Sequence, residues 1–287
     1  MPTLTLKRRV LGAAVLTGFA CAALGVIVQQ AAAQQATAQP KAAPPDFSAN
    51  QAGWITMGGD LLPVPGSPKP ITWDPAHPYV PNNVGKQPTY RIADLANPLL
   101  KPWVVERMKK DNDEVLAGKI AYTARSSCRP AGTPAFMLIG GVQPLFFLQT
   151  PKEVWMIYSG DAQVRRVYLD VPHSANPKPS YYGESVGHYE GDTLVVDTIG
   201  LNDKTFIDNY RTPHTEKLHV VERWRMTDGG TRMEVMVRIE DPDAFNEPWS
   251  AVQHYRRVSQ EMQEEACAEN NVHLFDYHIP VANKPDF

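Results

Sequence analysis

The chain has 287 residues, 43% of them hydrophobic, which is enough for one sizeable core and excludes disorder, collagen and a coiled coil on composition. Lys and Arg total 28 against 31 Asp and Glu, a formal charge of −3, so nothing in the overall field favours a polyanion and nucleic acid is not an expected partner. Of the 26 prolines, 13 fall between Pro40 and Pro102, which divides the chain into two differently built segments.

Lys7-Arg8-Arg9 precedes an uncharged stretch, Val10 to Val28, and the small-residue run Ala31-Ala32-Ala33 follows. That order is the pattern of a secretory signal, so residues 1–33 read as a signal peptide and the product as periplasmic or secreted. The uncharged stretch sits at the lower edge of bilayer-spanning length and its alanines and glycines make it weakly apolar, so no stable membrane insertion is expected after cleavage. The arginine pair is also similar to a twin-arginine signal, with the general secretory route as the other option. Cleavage removes Cys21 and leaves Cys128 and Cys267, an even number in a compartment where disulfides persist. The expectation is a Cys128–Cys267 bridge, the alternative being two buried thiols.

Residues 34–92 read as a Pro-rich extension that lies across the domain, anchored by Trp54, Trp73 and Tyr79. From residue 93 the pattern changes. Val104, Met108 and Val115 fall at helical spacing, Pro102 suits a first turn and Gly118 a stop, so a helix is expected within 93–118. Beyond it the period becomes two, and residues 119–287 read as about nine strands joined mostly by tight turns such as Gly191-Asp192 and Asp228-Gly229-Gly230. No helix of crossover length separates them. The expected fold is therefore mainly β, an antiparallel up-and-down barrel, since closure removes the edges of so large a sheet. In Thr231 to Glu240, Met233, Val235, Val237 and Ile239 share one face and Arg232, Glu234, Arg238 and Glu240 the other. In Lys217 to Met226, Glu222 falls on the face of Leu218, Val220, Trp224 and Met226.

The stretch Tyr182-Gly183-Glu184-Ser185-Val186-Gly187-His188-Tyr189-Glu190-Gly191-Asp192, continuing to Asn202-Asp203, resembles a family of exported bacterial proteins of unassigned activity. Pro213-His214-Thr215-Glu216 and Cys267-Ala268-Glu269-Asn270-Asn271 extend the likeness over roughly 125–271. The resemblance implies secretion and a shared domain and assigns no catalytic residue. By analogy of fold the meander is similar to lipocalin-like barrels, which include carriers and enzymes.

A carboxylate on an apolar face needs a partner or must become neutral, which singles out Glu222. Adjacent strand residues face opposite ways, so one of Arg165 and Arg166 points inward, and Arg166 is taken as the functional one. His214, a possible general base beside Asp208 in a polar loop of about 17 residues, completes the catalytic set of Glu222, His214, Arg166 and Asp208. Trp155, Tyr158, Tyr168, His188 and Trp224 are the expected ligand-lining side chains, although aromatic residues at strand spacing are more often plain core. The sequence has no H-E-x-x-H or C-x-x-C pair and no P-loop, G-x-S-x-G or dinucleotide fingerprint, so no metal and no cofactor is expected. Two readings remain: a binding protein holding a small, largely apolar ligand in the barrel, or a cofactor-independent lyase, isomerase or hydratase using interior Glu, His and Arg groups. A barrel simply filled by side chains is the blander third.

Overall fold

Period-two segments rich in β-branched and aromatic residues form strands, and here they close on themselves. The computed structural model describes residues 43–49, 53–79, 91–119, 128–138, 143–160 and 163–264. All of these but Ala43 fall in one compact unit, Pro44–Phe287. The strands are β1 (Gly53–Thr56), β2 (Leu62–Pro63), β3 (Leu145–Gln149), β4 (Glu153–Tyr158), β5 (Gln163–Leu169), β6 (Glu184–Glu190), β7 (Thr193–Ile199), β8 (His219–Thr227), β9 (Arg232–Glu240) and β10 (Trp249–Val258). The order β1-β3-β4-β5-β6-β7-β8-β9-β10 is closed by pairing of β10 with β1, giving a nine-stranded barrel, and the short β2 adds to β10 beside β1.

A purely antiparallel ring needs an even number of strands, because directions must alternate all the way round. With nine, one neighbouring pair has to be parallel, and that pair is β5–β6, where Val167, Tyr168 and Leu169 face Ser185, Val186 and Gly187. The expected antiparallel up-and-down topology is corrected at this seam. The connection responsible is the Pro-rich segment 170–183, which carries the chain back without a helix. Its last step depends on Gly183, whose φ of +63° is left-handed and whose missing Cβ leaves room for the Ile199 carbonyl and the Thr198 methyl.

The segment read as an extension contributes to the barrel itself. Gly53–Thr56 is buried along its whole length, Trp54 pairs with Leu145 of β3, and residues 53–56 pair with 255–258 of β10. Gln149 on β3 ties Phe47 to the barrel, accepting from the Phe47 N–H at 2.7 Å, while Trp54 Nε1 donates to the Phe47 carbonyl at 2.9 Å. The helix α1 spans Pro102–Leu116, starting later than 93 because residues 93–101 are taken up by turns between the bridges from Ala93 to Trp73 and from Leu100 to Phe245. Pro102 occupies its first turn, where a missing N–H costs nothing. Val104, Met108 and Val115 form its buried stripe together with Asn112, whose amide bonds both the N–H and C=O of Ala93 at 3.0 Å.

The inner surface is filled by large side chains. Trp224 lies 5.6 Å from Phe147, 5.8 Å from Tyr255 and 6.2 Å from Phe136 between ring centroids, and Phe47 is 5.1 Å from Phe147. Phe136 and Met137 come from a 3-10 turn, Ala135–Leu138, held by a hydrogen bond from the Tyr255 hydroxyl to the Met137 carbonyl at 3.0 Å. The outer surface is divided. Around β8 and β9 it carries ion pairs, Arg223–Glu190, Arg225–Glu234 and Arg238–Glu240, whereas on β3 to β5 it exposes Leu148, Val164 and Tyr168. Among the described residues no helix is long and apolar enough to cross a membrane. The expected signal peptide, 1–33, and Cys267 lie outside the described residues. The last described residues, Met262 to Glu264, have no strand structure.

Candidate functional site

One polar layer interrupts the apolar interior, and four adjacent strands build it. Arg165 shares the inner face of β5 with Val167 and Leu169, Ser185 that of β6 with Gly187, Thr198 that of β7 with Val196, and Glu222 that of β8 with Val220 and Trp224. Small side chains on β6 and β7 let the long arginine pass over them. Its Nη1 donates to both carboxylate oxygens of Glu222 at 2.8 and 2.9 Å, Nη2 to Thr198 Oγ1 at 2.7 Å and Nε to Ser185 Oγ at 3.1 Å. Trp224 Nε1 adds a bond to Glu222 Oε2 at 2.9 Å, and the Phe136 ring lies 5.1 Å from the guanidinium carbon. Arg165 is 2% exposed and Glu222 is fully buried. Burial and the Glu222 charge together push the Tyr255 hydroxyl well above its ordinary value, so that it stays a neutral donor.

At the seam a cleft abuts this layer on its Arg165 and Ser185 side. Because β5 and β6 pair over only three residues, the first half of β5 diverges from the approach to β6 and leaves an opening of about 470 Å³. Pro130, Arg165, Tyr168, Lys178, Tyr181 and Tyr182 are among the residues that line it. The wall formed by 173–183 is pinned to the barrel. Ser180 bonds the Gly200 carbonyl and Asn202 through its backbone, and the Tyr181 carbonyl accepts from the Thr133 N–H. His173 bridges Glu184 at 3.1 Å and Asp197 at 3.0 Å, and Asp197 Oδ1 also meets His219 Nε2 at 2.9 Å, an alternating row of carboxylates and imidazoles on the outer face. The hydrogen bond to Asp197 pushes the His219 ring up, and the same bond holds the Asp197 carboxyl low.

The residues expected to form the site do not all come together. Glu222 and Trp224 face inward as described, and Tyr158 is buried with its hydroxyl 3.2 Å from Gln143 Oε1. Arg166 is corrected to the outside: Arg165 is the inward one of the two. Arg166 pairs with Glu153 at 2.8 Å and stacks between Trp155, 5.3 Å from its ring, and Tyr168, 5.2 Å from its ring, so both these aromatics are on the outer face too. Tyr168 nevertheless borders the cleft. His188 is exposed and paired with Glu190 at 3.0 Å. Asp208 is buried, with its carboxylate accepting from the Tyr210 N–H and from Thr212 N–H and Oγ1, which makes it the organiser of its own loop. Burial pushes its carboxyl up. His214 is likewise sealed in the loop. Its Nδ1 lies 3.1 Å from the Thr215 carbonyl, which can only accept, so Nδ1 is a donor; burial disfavours the charged ring, and in the neutral form Nε2 accepts from the Thr205 hydroxyl at 2.8 Å. Among the described residues no cluster of three His, Cys, Asp or Glu side chains is arranged to hold a metal ion.

The two buried and half-buried histidines titrate in opposite senses. Burial lowers His214 below its ordinary 6.5, so it contributes stability that is present above 6.5 and lost as pH falls; His219, raised, contributes stability present below 6.5 and lost as pH rises through its higher folded value. His214→Gln is therefore expected to lose less further stability than the wild type between about pH 7.5 and pH 5. His219→Gln should show a weaker effect of opposite sign, because its partner row is half-solvated. Urea midpoints across that range measure both.

Compared with known proteins, the chain matches no family model, no curated protein and no solved structure.

Three groups that shape the cleft carry no strong signal in sequence. Ser185 and Thr198 are small polar residues on strands, and Lys178 lies in a Pro-rich connection. Their relation appears only when the seam is formed. Tyr182, two residues before β6, is the one cue within the stretch singled out in the sequence.

Proposed function

We propose that this chain is an exported protein that binds one small molecule in the seam cleft of its barrel, above the Arg165–Glu222 pair. The observation that carries the reading is that pair. A buried ion pair contributes little net stability compared with an apolar replacement of the same volume, because desolvation offsets the attraction, so an arginine fixed by three partners beneath the wall of an opening is better explained by the binding surface it holds in place. The largely apolar ligand expected in the lumen is moved to the cleft because the lumen around Trp224 is occupied by aromatic side chains. Binding is favoured over proton-transfer chemistry by the same contacts: Glu222 is committed to Arg165 and Trp224, and His214 and Asp208 are sealed within their loop. Export rests on the signal pattern of residues 1–33, and the Cys128–Cys267 bridge on the two cysteines that remain.

Native mass spectrometry of the protein purified from the periplasm of its own host tests each part. The expected species begins near Gln34, is short by the hydrogens of one disulfide, and carries one small-molecule adduct that is lost in an Arg165→Met variant. A full-length mass sinks export, two thiols alkylated without reduction in the unfolded protein sink the bridge, and an adduct retained by Arg165→Met removes the cleft from the reading. Chemical conversion of the adduct on incubation would favour the lyase, isomerase or hydratase alternative.

A further inference from the structure

The ligand's chemical class follows from which polar groups of the cleft are still uncommitted. Arg165 spends four of its five N–H donors on Glu222, Thr198 and Ser185 and is 2% exposed. Arg166 turns outward to Glu153. Glu184, the one carboxylate of the lining, accepts from the Ser174 N–H and hydroxyl, both at 2.7 Å, and meets His173 at 3.1 Å, so both its oxygens are occupied. The Ser180 hydroxyl donates to the Gly183 carbonyl at 3.4 Å.

Gln163 and Tyr182 are engaged as well, which leaves the Lys178 ammonium and the hydroxyls of Tyr168 and Tyr181, none with a side-chain hydrogen bond or ion pair among the described residues; of these, Lys178 and Tyr181 stand together on the 173–183 wall. An ammonium can only donate and a phenol donates readily, while no charged acceptor in the lining is uncommitted. The rest of the wall is flat or apolar: Tyr168, Tyr182, Val164 and Pro130. Resting on the reading of the cleft as a ligand site, we propose that it takes a small organic monoanion, a carboxylic acid on a flat and largely apolar body. The carboxylate is held by Lys178 and Tyr181, and the ring lies against the tyrosines and Pro130. One uncommitted cation matches one negative charge, and a volume near 470 Å³ suits a one- or two-ring acid rather than a polymer. Both donors stand on a segment already fixed by the His173 bridge and the Ser180 and Tyr181 backbone bonds, so little ordering is needed on binding.

The test titrates the mature protein with benzoate, cinnamate and indole-3-acetate and with their methyl esters, followed by calorimetry and by the ring resonances of Tyr181 and Tyr182. At least one acid should bind about tenfold or more tightly than its ester, as a charge-assisted contact gives, and added salt should weaken the acid alone. Lys178→Met, an exposed change that leaves the fold intact, should erase the preference, whereas Arg225→Met on the far outer face should keep it. Acids and esters that bind equally and shift the tyrosine resonances overturn the anion assignment while leaving the cleft a ligand site. If none of the six molecules moves those resonances, both the anion assignment and the cleft reading fail.

Discussion

Glu222→Gln should lower the free energy of unfolding by about 3 to 5 kcal/mol, because it leaves the Arg165 guanidinium inside the barrel without a counter-charge. Arg165 is 2% exposed and directs Nη1 at both oxygens of Glu222, so water cannot replace what the amide fails to supply. Pairing the loss with its partner's should largely restore the fold: an Arg165→Met, Glu222→Leu double variant removes both charges and is expected within about 1 to 2 kcal/mol of wild type. Ligand binding separates the two roles, since the double variant should fold yet fail to retain the co-purifying molecule. Denaturant midpoints and native mass spectra on the same three proteins decide it, and a Glu222→Gln protein as stable as wild type would show that the pair contributes nothing to the fold.

Trp224→Ala should cost a similar amount, about 3 to 5 kcal/mol, for a different reason. The indole is fully buried where Phe136, Phe147 and Tyr255 converge, so its removal opens a cavity that three rigid rings cannot collapse into. It also takes away the Nε1 donor to Glu222 Oε2. Trp224→Phe, which keeps most of the ring and loses only that donor, should cost about 1 to 2 kcal/mol in comparison. Because Trp224 and Glu222 share a hydrogen bond, their effects should not add, and the coupling from a double-mutant cycle measures the bond. A Trp224→Ala protein with an unchanged midpoint would mean that the aromatic cluster is not the mechanical centre of the barrel.

Local pattern was sufficient wherever one face of a strand is apolar and the other charged. On β9, Met233, Val235, Val237 and Ile239 are buried and the charged alternates face out, and the same parity places Glu222 inside from β8 alone. Barrel closure was legible in kind, from many short strands without crossover helices. The orientation of β5 was not, because its two faces, Arg165-Val167-Leu169 and Val164-Arg166-Tyr168, each carry one arginine and apolar neighbours. A one-residue shift exchanges them at no cost visible in the sequence. What decides is tertiary: only Arg165 finds Glu222, Ser185 and Thr198 across β6, β7 and β8.

The same holds for the parts of the site that lie between elements. Gly53–Thr56 reads as part of a Pro-rich extension, being a strand of four residues among turns, and becomes a barrel strand because β10 and β3 offer it unpaired edges on both sides. The parallel seam follows from the number of strands that close, a property of the whole ring and of no local segment. Composition and alternation thus determined that this chain builds a closed β structure around a buried carboxylate. Strand count and pairing alone decided which arginine meets that carboxylate and where the barrel opens, since hydrogen bonding between strands distant in sequence sets register, and register sets which side chains share a face.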